Sequence, residues 1–449
     1  MRITILGAGT VGYAIADTLS RSNHTITLVE KDPVKAERAK ELDIRVITGS
    51  ASESSVLFRA DVSDCDLCLA VTGNDETNIV AASMAKAMGA RRTIARVYSP
   101  VFRNLSTFDY QRHFQIDRLV SLEQLTAIEL VRLIRRAHSH VLDLFSRGEL
   151  EIQEITIAPK SPVIGKTLKE LKMPGTVRVA ILRRGDARRI MGATDSFQAG
   201  DGISLIGTSA EIGNVIKNHF HAKLPPVQRI MIMGGGETGY HISQMLQQNG
   251  FEIILYESDQ ARCNYLSAHL GNHVSIIQAD GLNRETLEEN QVDRMDAFVA
   301  CAGDDENNII AAVEAKELGA KQVYAVVSRP DYATLVKKLG IDFVVSPRNV
   351  MAQRIRGFFN TGPVIMRSSL INQPDIEILE LEAKPDMPIV QKRIRDLGLP
   401  PKCLIAGVNR DNFVQVPDAK FQIQPDDIVI AMVHNQSLDQ LLEQFAVAK

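Results

Sequence analysis

Two short stretches of this 449-residue sequence have glycines at the spacing of a phosphate-binding turn. The first reads "GAGTVG" and the second reads "GGGETG", and an apolar run precedes each of them. Glycine permits a tight turn and close approach of a ligand to the backbone, and the start of the following helix offers free N–H groups and positive potential. Each loop therefore predicts a diphosphate site, with candidate contacts at Gly7, Ala8, Gly9, Thr10, Val11, Gly12, Gly234, Gly235, Gly236, Glu237, Thr238 and Gly239.

An acidic residue follows each loop at the end of the next predicted strand. Glu30 closes "TITLVE" and Glu257 closes "EIILYE". A carboxylate at this position can accept hydrogen bonds from both ribose hydroxyls and would repel a 2′-phosphate. A lone glycine pattern is weak evidence, but strand, loop, helix and acid recur in the same order in both halves. The pattern favours NAD or a plain adenine nucleotide over NADP, and the alternative is that each acid only caps its strand.

Further candidate contacts lie where later predicted strands end. The ends of the two fourth strands would line the same crevice with Thr72, Gly73, Asn74, Ala302, Gly303 and Asp304. Arg96 ends the fifth strand of the first half, where it would bind a phosphate or form a surface salt bridge. The second half has Val326 in place of Arg96 and Glu237 in place of Thr10. The two sites are therefore expected to differ in ligand or affinity.

The elements that must position these residues form an internal repeat. Gly7 matches Gly234 and Glu30 matches Glu257 at one constant spacing, and "VTGNDETNIVAA" later matches "CAGDDENNIIAA". Within each half, short β-branched runs alternate with helical patterns, which indicates a parallel sheet covered by helices. We therefore predict an α/β fold with two Rossmann-like, doubly wound parallel-sheet domains, each followed by a small α+β domain.

The predicted division of the chain follows from this repeat. An amphipathic helix after each parallel sheet is expected to cross over, packing on its own sheet or on a partner. The prolines of "AKLPPVQRI" separate the two halves. The predicted segments are nucleotide-binding domains at 1–123 and 228–349, crossover helices at 124–142 and 350–367, and small domains at 143–224 and 368–449.

Composition excludes several classes of protein. With 45% apolar residues, 23% charged residues and a net charge of −3, the chain has the composition of a packed globular protein and lacks the basic field that binds nucleic acid. No run is long and apolar enough to span a bilayer, so a cytoplasmic protein is expected. The five scattered cysteines do not suggest a disulfide framework. Cys65 and Cys68 form a C-x-x-C that we interpret as packing, since this spacing on a strand would send the side chains to opposite faces.

No set of catalytic groups accompanies the glycine loops. A dehydrogenase places an acid, a base or a metal against the nicotinamide, and no such set is evident. The H-x-H pairs at His138/His140 and His219/His221 lack a matching carboxylate cluster, so no metal site is predicted. Sensing of a nucleotide explains the duplication more simply than catalysis.

The doubled order of glycine-loop domain, crossover helix and small domain resembles the RCK (KTN) regulators of potassium transport. The resemblance covers essentially the whole chain, and its most specific feature is the glycine loop, acid and "TGND" or "AGDD" series in both halves. It implies that the nucleotide domains bind NAD(H) and ATP or ADP, that four chains form a homotetrameric ring of eight such domains, and that the ring docks on a membrane potassium channel subunit of the TrkH type. It implies a location on the cytoplasmic face of the membrane, without insertion. Val326 departs from the pattern and puts equivalent phosphate binding by the second half in question.

Three alternatives remain open from the sequence. A soluble NAD-dependent oxidoreductase with duplicated Rossmann domains would share the glycine loops but would turn over NADH with a substrate. A potassium-efflux regulator would share the RCK unit, yet such chains usually carry one unit or are fused to membrane spans. A scaffold that uses the Rossmann fold only structurally would have no evident need for both acids.

Overall fold

The computed structural model describes residues 1–446 apart from 22–23, 105, 139–140, 146–149, 186, 222–227, 248–249, 330–331, 358–362, 371–372 and 411–412. The predicted linker "AKLPPVQRI" falls largely on 222–227 and so lies outside the described residues. The first half begins with a Rossmann-like domain comprising β1 (Arg2–Leu6), α1 (Thr10–Ser20), β2 (Thr25–Glu30), α2 (Pro33–Ala39), β3 (Arg45–Thr48), α3 (Ser54–Arg59), β4 (Leu67–Ala70), α4 (Asp75–Ala87), β5 (Thr93–Arg96), α5 (Tyr110–His113) and β6 (Arg118–Val120). It continues with α6 (Leu122–His138), β7 (Val141–Phe145), β8 (Leu150–Thr156), β9 (Arg178–Arg184), β10 (Ala187–Ile190), β11 (Gly202–Gly207) and α7 (Ser209–Asn218).

The second half repeats this order of elements. Its Rossmann-like domain comprises β12 (Gln228–Met233), α8 (Glu237–Gln247), β13 (Phe251–Glu257), α9 (Gln260–His269), β14 (Val274–Gln278), α10 (Arg284–Glu289), β15 (Ala297–Ala300), α11 (Asp305–Glu317), β16 (Gln322–Val326), α12 (Tyr332–Lys338) and β17 (Phe343–Val345). The remainder comprises α13 (Pro347–Gly357), β18 (Val364–Leu370), β19 (Gln373–Glu382), β20 (Cys403–Arg410), β21 (Phe413–Gln415), β22 (Ile428–His434) and α14 (Leu438–Glu443).

The strand order confirms the predicted fold class. The first parallel sheet has the order β3-β2-β1-β4-β5-β6 and the second has β14-β13-β12-β15-β16-β17. In both, the order reverses between the first and fourth strands, and in an open α/β sheet the ligand crevice forms at that reversal. The small domains are antiparallel sheets of order β10-β9-β11-β8-β7 and β18-β19-β22-β20-β21. The central strands β4 and β15 are buried along their whole length because helices cover both faces.

The two crossover helices exchange partners between the halves. On α6, Ala127, Leu130 and Ile134 enter the core of the second parallel sheet and pack with Ile242 of α8. On α13, Met351 and Ile355 enter the core of the first sheet. Each helix therefore completes the nucleotide domain of the other half, which resolves the open question of where they pack.

Both crossover helices are shorter than predicted at their C-terminal ends. The first was predicted at 124–142 and the second at 350–367, but β7 starts at Val141 and β18 starts at Val364. In "VLDLF" and "VIMRSSL" the chain instead pairs antiparallel with β8 and β19, because the ladder of backbone hydrogen bonds outweighs the helical preference of a few residues.

The two small domains pack on each other through their sheets. Leu150, Ile152 and Ile206 of the first sheet share one buried cluster with Ile378 and Met432 of the second. Together with the exchanged helices, this cluster makes the two halves a single interlocked unit.

Candidate functional site

The first glycine loop joins β1 to α1 and has the backbone geometry that its glycines allow. Gly7 has a φ of +108°, which L side chains rarely adopt, and a Cβ at Gly12 would lie 1.9 Å from the carbonyl oxygen of Gly7. A Cβ at Gly9 would meet no atom within 4 Å, so the space in front of this residue is open. Gly9 gives α1 no side-chain cap, which leaves the helix N–H groups free for a ligand.

Glu30 lies beside this loop and holds it by hydrogen bonds. Its carboxylate is buried and accepts from the backbone N–H of Ala8 at 2.5 Å and of Asp32 at 2.9 Å. Glu257 does the same in the second half, accepting from Gly235 at 3.0 Å and from Asp259 at 2.9 Å. The sequence analysis predicted only a ribose contact or a strand cap, whereas the structure adds a loop-fixing role.

The ends of the fourth strands lie against the glycine loops, as expected. A Cβ at Gly7 would be 3.0 Å from the Cα of Thr72, and one at Gly234 would be 2.9 Å from the Cα of Ala302. Gly73 and Gly303 have open space in front of them. Two of the predicted contacts have a structural role, because Asn74 and Asp304 cap α4 and α11 by accepting from backbone N–H groups. Val11 is buried in the core, so only its backbone could reach a ligand.

Sequence reasoning missed the residues that join the ends of the fourth and fifth strands. The fully buried Asn78 accepts from the N–H of Thr72 at 2.8 Å and donates to the carbonyls of Thr72 and Arg96 at 3.1 and 2.9 Å. Asp75 accepts from the N–H groups of Tyr98 and Ser99, both at 2.8 Å. These bonds tie the ends of β4 and β5 together.

The second half contains the same set of hydrogen bonds between strand ends. Asn308 bridges Ala302 and Val326, and Asp305 accepts from the N–H groups of Ser328 and Arg329. The aligned "DETN" and "DENN" carried the signal, because the first aspartate and the last asparagine occur at the same place in each half.

Arg96 forms the salt bridge that the sequence analysis left as one of two options. Its Nη2 lies 3.1 Å from Oε1 of Glu123, near the start of α6, and both side chains are mostly buried. Phosphate binding by Arg96 stays a prediction, because a ligand would have to compete with Glu123 for the guanidinium.

The second glycine loop differs from the first in its side chains. Thr10 is exposed, whereas Glu237 at the equivalent position is only 4% exposed and lies 3.1 Å from Nη2 of Arg262. The Nε of Arg262 donates to the carbonyl of Gly235 at 2.7 Å, and its guanidinium lies 4.7 Å from the ring centre of Tyr265. An ion pair of the chain itself therefore lies on the second loop.

Residues of the first half approach this second loop. Arg103 lies 3.4 Å from Nε2 of His241, which is one turn along α8 from Glu237. Burial and the charge of Arg103 lower the pKa of His241 to about 4, so its imidazole is neutral at pH 7. Burial raises the pKa of Tyr98, and the negative charges of Glu237 and Glu123 raise it further.

The two neighbouring cysteines pack in the core, as interpreted, but they do not lie on opposite faces of a strand. Cys65 precedes β4 instead of lying in it, so both thiols enter one core cluster and a hydrogen bond joins them. That bond lowers the pKa of Cys65 and, together with burial, raises the pKa of Cys68.

His140 lies outside the described residues, as does the side chain of His138. In the described part of the chain no three metal-binding side chains cluster as a metal site would require.

Comparison with protein-family models gives matches in both halves. The TrkA-N domain matches residues 3–120 and 230–347, and the TrkA-C domain matches residues 152–219 and 378–446. The chain belongs to the TrkA family. The resemblance to regulators of potassium transport is thereby confirmed.

Curated relatives in the TrkA family match the chain from end to end. The Trk system potassium uptake protein TrkA of Vibrio alginolyticus is 30% identical over 97% of this chain and 96% of its own length. That of Haemophilus influenzae is 30% identical over 99% of this chain and 98% of its own length. A homologue from Archaeoglobus fulgidus is 29% identical over 99% of this chain and all of its own length.

Solved structures share the fold of this TrkA-family chain. The RCK domain of GsuK superposes with a TM-score of 0.57 at 18% identity, covering 100% of this chain and 95% of its own. The GsuK channel bound to NAD gives the same score and identity over 79% of its own chain. Among the helices in the described residues, none has the length and apolar character needed to cross a membrane.

Proposed function

We propose that this chain is a nucleotide-binding regulatory subunit of a potassium uptake system and that it is not an enzyme. The observation that carries the proposal is the first glycine loop, where an uncapped helix N-terminus faces open space beside a buried carboxylate. Such an N-terminus favours an anion, and Glu30 lies where a ribose would follow the diphosphate. NAD(H), ATP and ADP fit this chemistry. The channel structure described as bound to NAD, which has the same fold, supports the choice of ligand.

The nucleotide acts by binding two conformations of the assembly with different affinity. A difference in binding energy of about 1 to 3 kcal/mol is typical of such coupling and shifts the angle between domains. The channel or transporter subunit that responds is the membrane component of the Trk system, of the TrkH type. The chain acts from the cytoplasmic face of the membrane through that partner.

Four chains forming a ring of eight nucleotide domains provide the scaffold for this movement. Val80 on α4 and Ile310 on α11 occupy matching positions in the repeat, and both apolar side chains are exposed. Exposed apolar residues at the same place in each half support self-association through the two helices.

Calorimetric titration of the chain with NAD, NADH, ATP and ADP tests the proposal. We expect saturable binding of at least two of these nucleotides with no change in the nicotinamide absorbance. Gly9→Asp should abolish binding at the first loop and Gly236→Asp at the second, because a side chain at either position meets no neighbouring atom and only places a negative charge before the ligand. Gly175→Asp, in an exposed turn of the first small domain, adds the same charge elsewhere and is the control.

Two results would contradict the proposal. Unaltered stoichiometry in both loop variants would refute the site assignment. Steady consumption of NADH with a metabolite would instead identify an oxidoreductase. With binding established, reconstitution with a TrkH-type subunit in vesicles should give a potassium flux that depends on both the nucleotide and this chain.

A further inference from the structure

We propose that the second glycine loop is occupied by the chain's own side chains, because the Glu237 carboxylate and the Arg262 guanidinium compete there with a nucleotide diphosphate. When a nucleotide binds at the second site, the Arg262 guanidinium then releases the Glu237 carboxylate and pairs with the ligand phosphate instead. The inference rests on the proposed function, since it takes nucleotide binding at the first loop as given.

The position of Glu237 makes it an internal substitute for a phosphate. It is the first residue of α8, where the free N–H groups and the helix dipole favour a negative group. Its side chain is 4% exposed, and Oε1 pairs with Nη2 of Arg262 at 3.1 Å. Its other oxygen, Oε2, has no hydrogen-bond partner among the described residues. A buried carboxylate oxygen without a donor is costly, so this site holds a charge that is not fully compensated.

Arg262 contacts the second glycine loop and the start of α8. Its Nε donates to the carbonyl of Gly235 at 2.7 Å, and its guanidinium lies over the ring of Tyr265. The equivalent residue of the first half is Lys35, which is exposed and lies 3.8 Å from its own capping residue Asp32. No cation of the chain therefore contacts the first loop from this position, whereas in the second half the guanidinium bonds both the carbonyl of Gly235 and the carboxylate of Glu237.

Arg262 is the cation that pairs with Glu237. His241 is 3.8 Å from Oε2 of Glu237 but is neutral at pH 7, and Arg103 approaches the same ring nitrogen of His241, Nε2, at 3.4 Å. A diphosphate on the loop would place negative charge beside Glu237 in a buried setting, where repulsion is weakly screened. Binding requires Glu237 to turn away and Arg262 to pair with the phosphate, as a planar guanidinium does well.

The test measures binding of ADP in a background where only the second loop can respond. Gly9→Asp removes the first site, and calorimetry then compares this variant with the double variants Gly9→Asp/Glu237→Thr and Gly9→Asp/Glu237→Gln. Threonine is the residue that the first loop carries, and glutamine keeps the shape of glutamate while removing its charge. We expect both substitutions to tighten ADP binding at least tenfold. Adding Arg262→Ala to either double variant should reverse the gain.

The reciprocal variant provides a matched control. In the Gly236→Asp background, Thr10→Glu should weaken ADP binding at the first loop at least tenfold. Thermal unfolding of each variant, and unchanged first-loop binding by Glu237→Thr alone, show that the fold is intact.

Two outcomes separate this inference from the proposed function. If the natural chain binds ADP at the first loop but Glu237→Thr and Glu237→Gln leave the second loop unchanged, self-occupation is wrong and the proposed function stands. If the natural chain binds none of the four nucleotides, the proposed function fails and the inference fails with it.

Discussion

At the scale of single residues, burial decides which side chains near the second glycine loop carry charge. His241 faces Glu237 on its own helix and Arg103 from the first half, and Arg262 lies beyond Glu237. Burial and the charges of Arg103 and Arg262 outweigh the hydrogen bond with Gln244, so the pKa of His241 falls to about 4. The histidine thus serves as a neutral packing group between the two halves.

Acid should therefore destabilise the folded chain through His241. Because its pKa falls from 6.5 in the unfolded chain to about 4 in the folded one, the unfolded state binds more protons between these values. Stability is unaffected above about pH 6.5 and declines as the pH falls towards 4, by about 2 kcal/mol at pH 5. We expect His241→Gln to show a smaller drop in Tm between pH 7 and pH 5 than the natural chain.

The exposed His273 provides the control for this measurement. His273→Gln should leave the change in Tm between the two pH values as it is in the natural chain. An equal drop in Tm for His241→Gln and the natural chain would show that His241 does not titrate in this range.

At the scale of elements, the exchange of α6 and α13 makes each nucleotide domain depend on the other half of the chain. Met351 belongs to the second half by sequence but is fully buried in the core of the first parallel sheet. Met351→Ala should therefore destabilise the first nucleotide domain by about 2 to 5 kcal/mol, the usual cost of truncating a large buried side chain. Hydrogen exchange should show faster amide exchange in β1 and α1 while β12 and α8 change little.

Asn349, exposed on the same helix, provides the matched control. Asn349→Ala should leave exchange in both domains unchanged. Faster exchange in the second domain alone, after Met351→Ala, would contradict the exchanged packing.

The sequence predicted the strands and helices of this fold better than it predicted which of them pack against each other. Parallel strands and glycine loops were recognisable because local spacing determines them, and the repeat made each pattern visible twice. The partner of α6 was not predictable, because an amphipathic face reports only that a helix packs and the two sheets offer similar surfaces. The Glu237–Arg262 pair was missed for a related reason, since the first half has Thr10 and Lys35 at these positions and gives no ion pair to compare.

At the scale of the whole molecule, α6 contacts three domains. Near its start, Glu123 pairs with Arg96 at the crevice of the first parallel sheet. Its middle packs into the second nucleotide domain through Leu130. Near its end, Arg135 forms a two-armed ion pair with Glu151 of β8, in the first small domain. A shift of either of these domains would displace or strain this helix, so under the proposed function we expect α6 to transmit ligand binding to the small domains.

The Arg135–Glu151 pair links α6 to the first small domain. Its contribution can be tested by changing the two residues singly and together. The two side chains are 6% and 2% exposed, so removing one partner leaves a buried, uncompensated charge. Arg135→Met should cost about 3 to 5 kcal/mol in the free energy of unfolding, measured by denaturant titration, whereas Arg135→Met/Glu151→Leu should recover most of that loss.

The pair Arg189–Asp195 in the same small domain, in which the arginine is half exposed, gives the reference value. Arg189→Met should cost less than about 1 kcal/mol, because the arginine side chain is solvated and the N–H of Gly192 still donates to the remaining carboxylate. If the double variant is no more stable than Arg135→Met, then other contacts at the end of α6, rather than the ion pair, hold this helix against the small domain. Recovery of stability, combined with loss of any effect of nucleotide on exchange in β8, would instead show that the charges transmit the signal while apolar packing suffices for the fold.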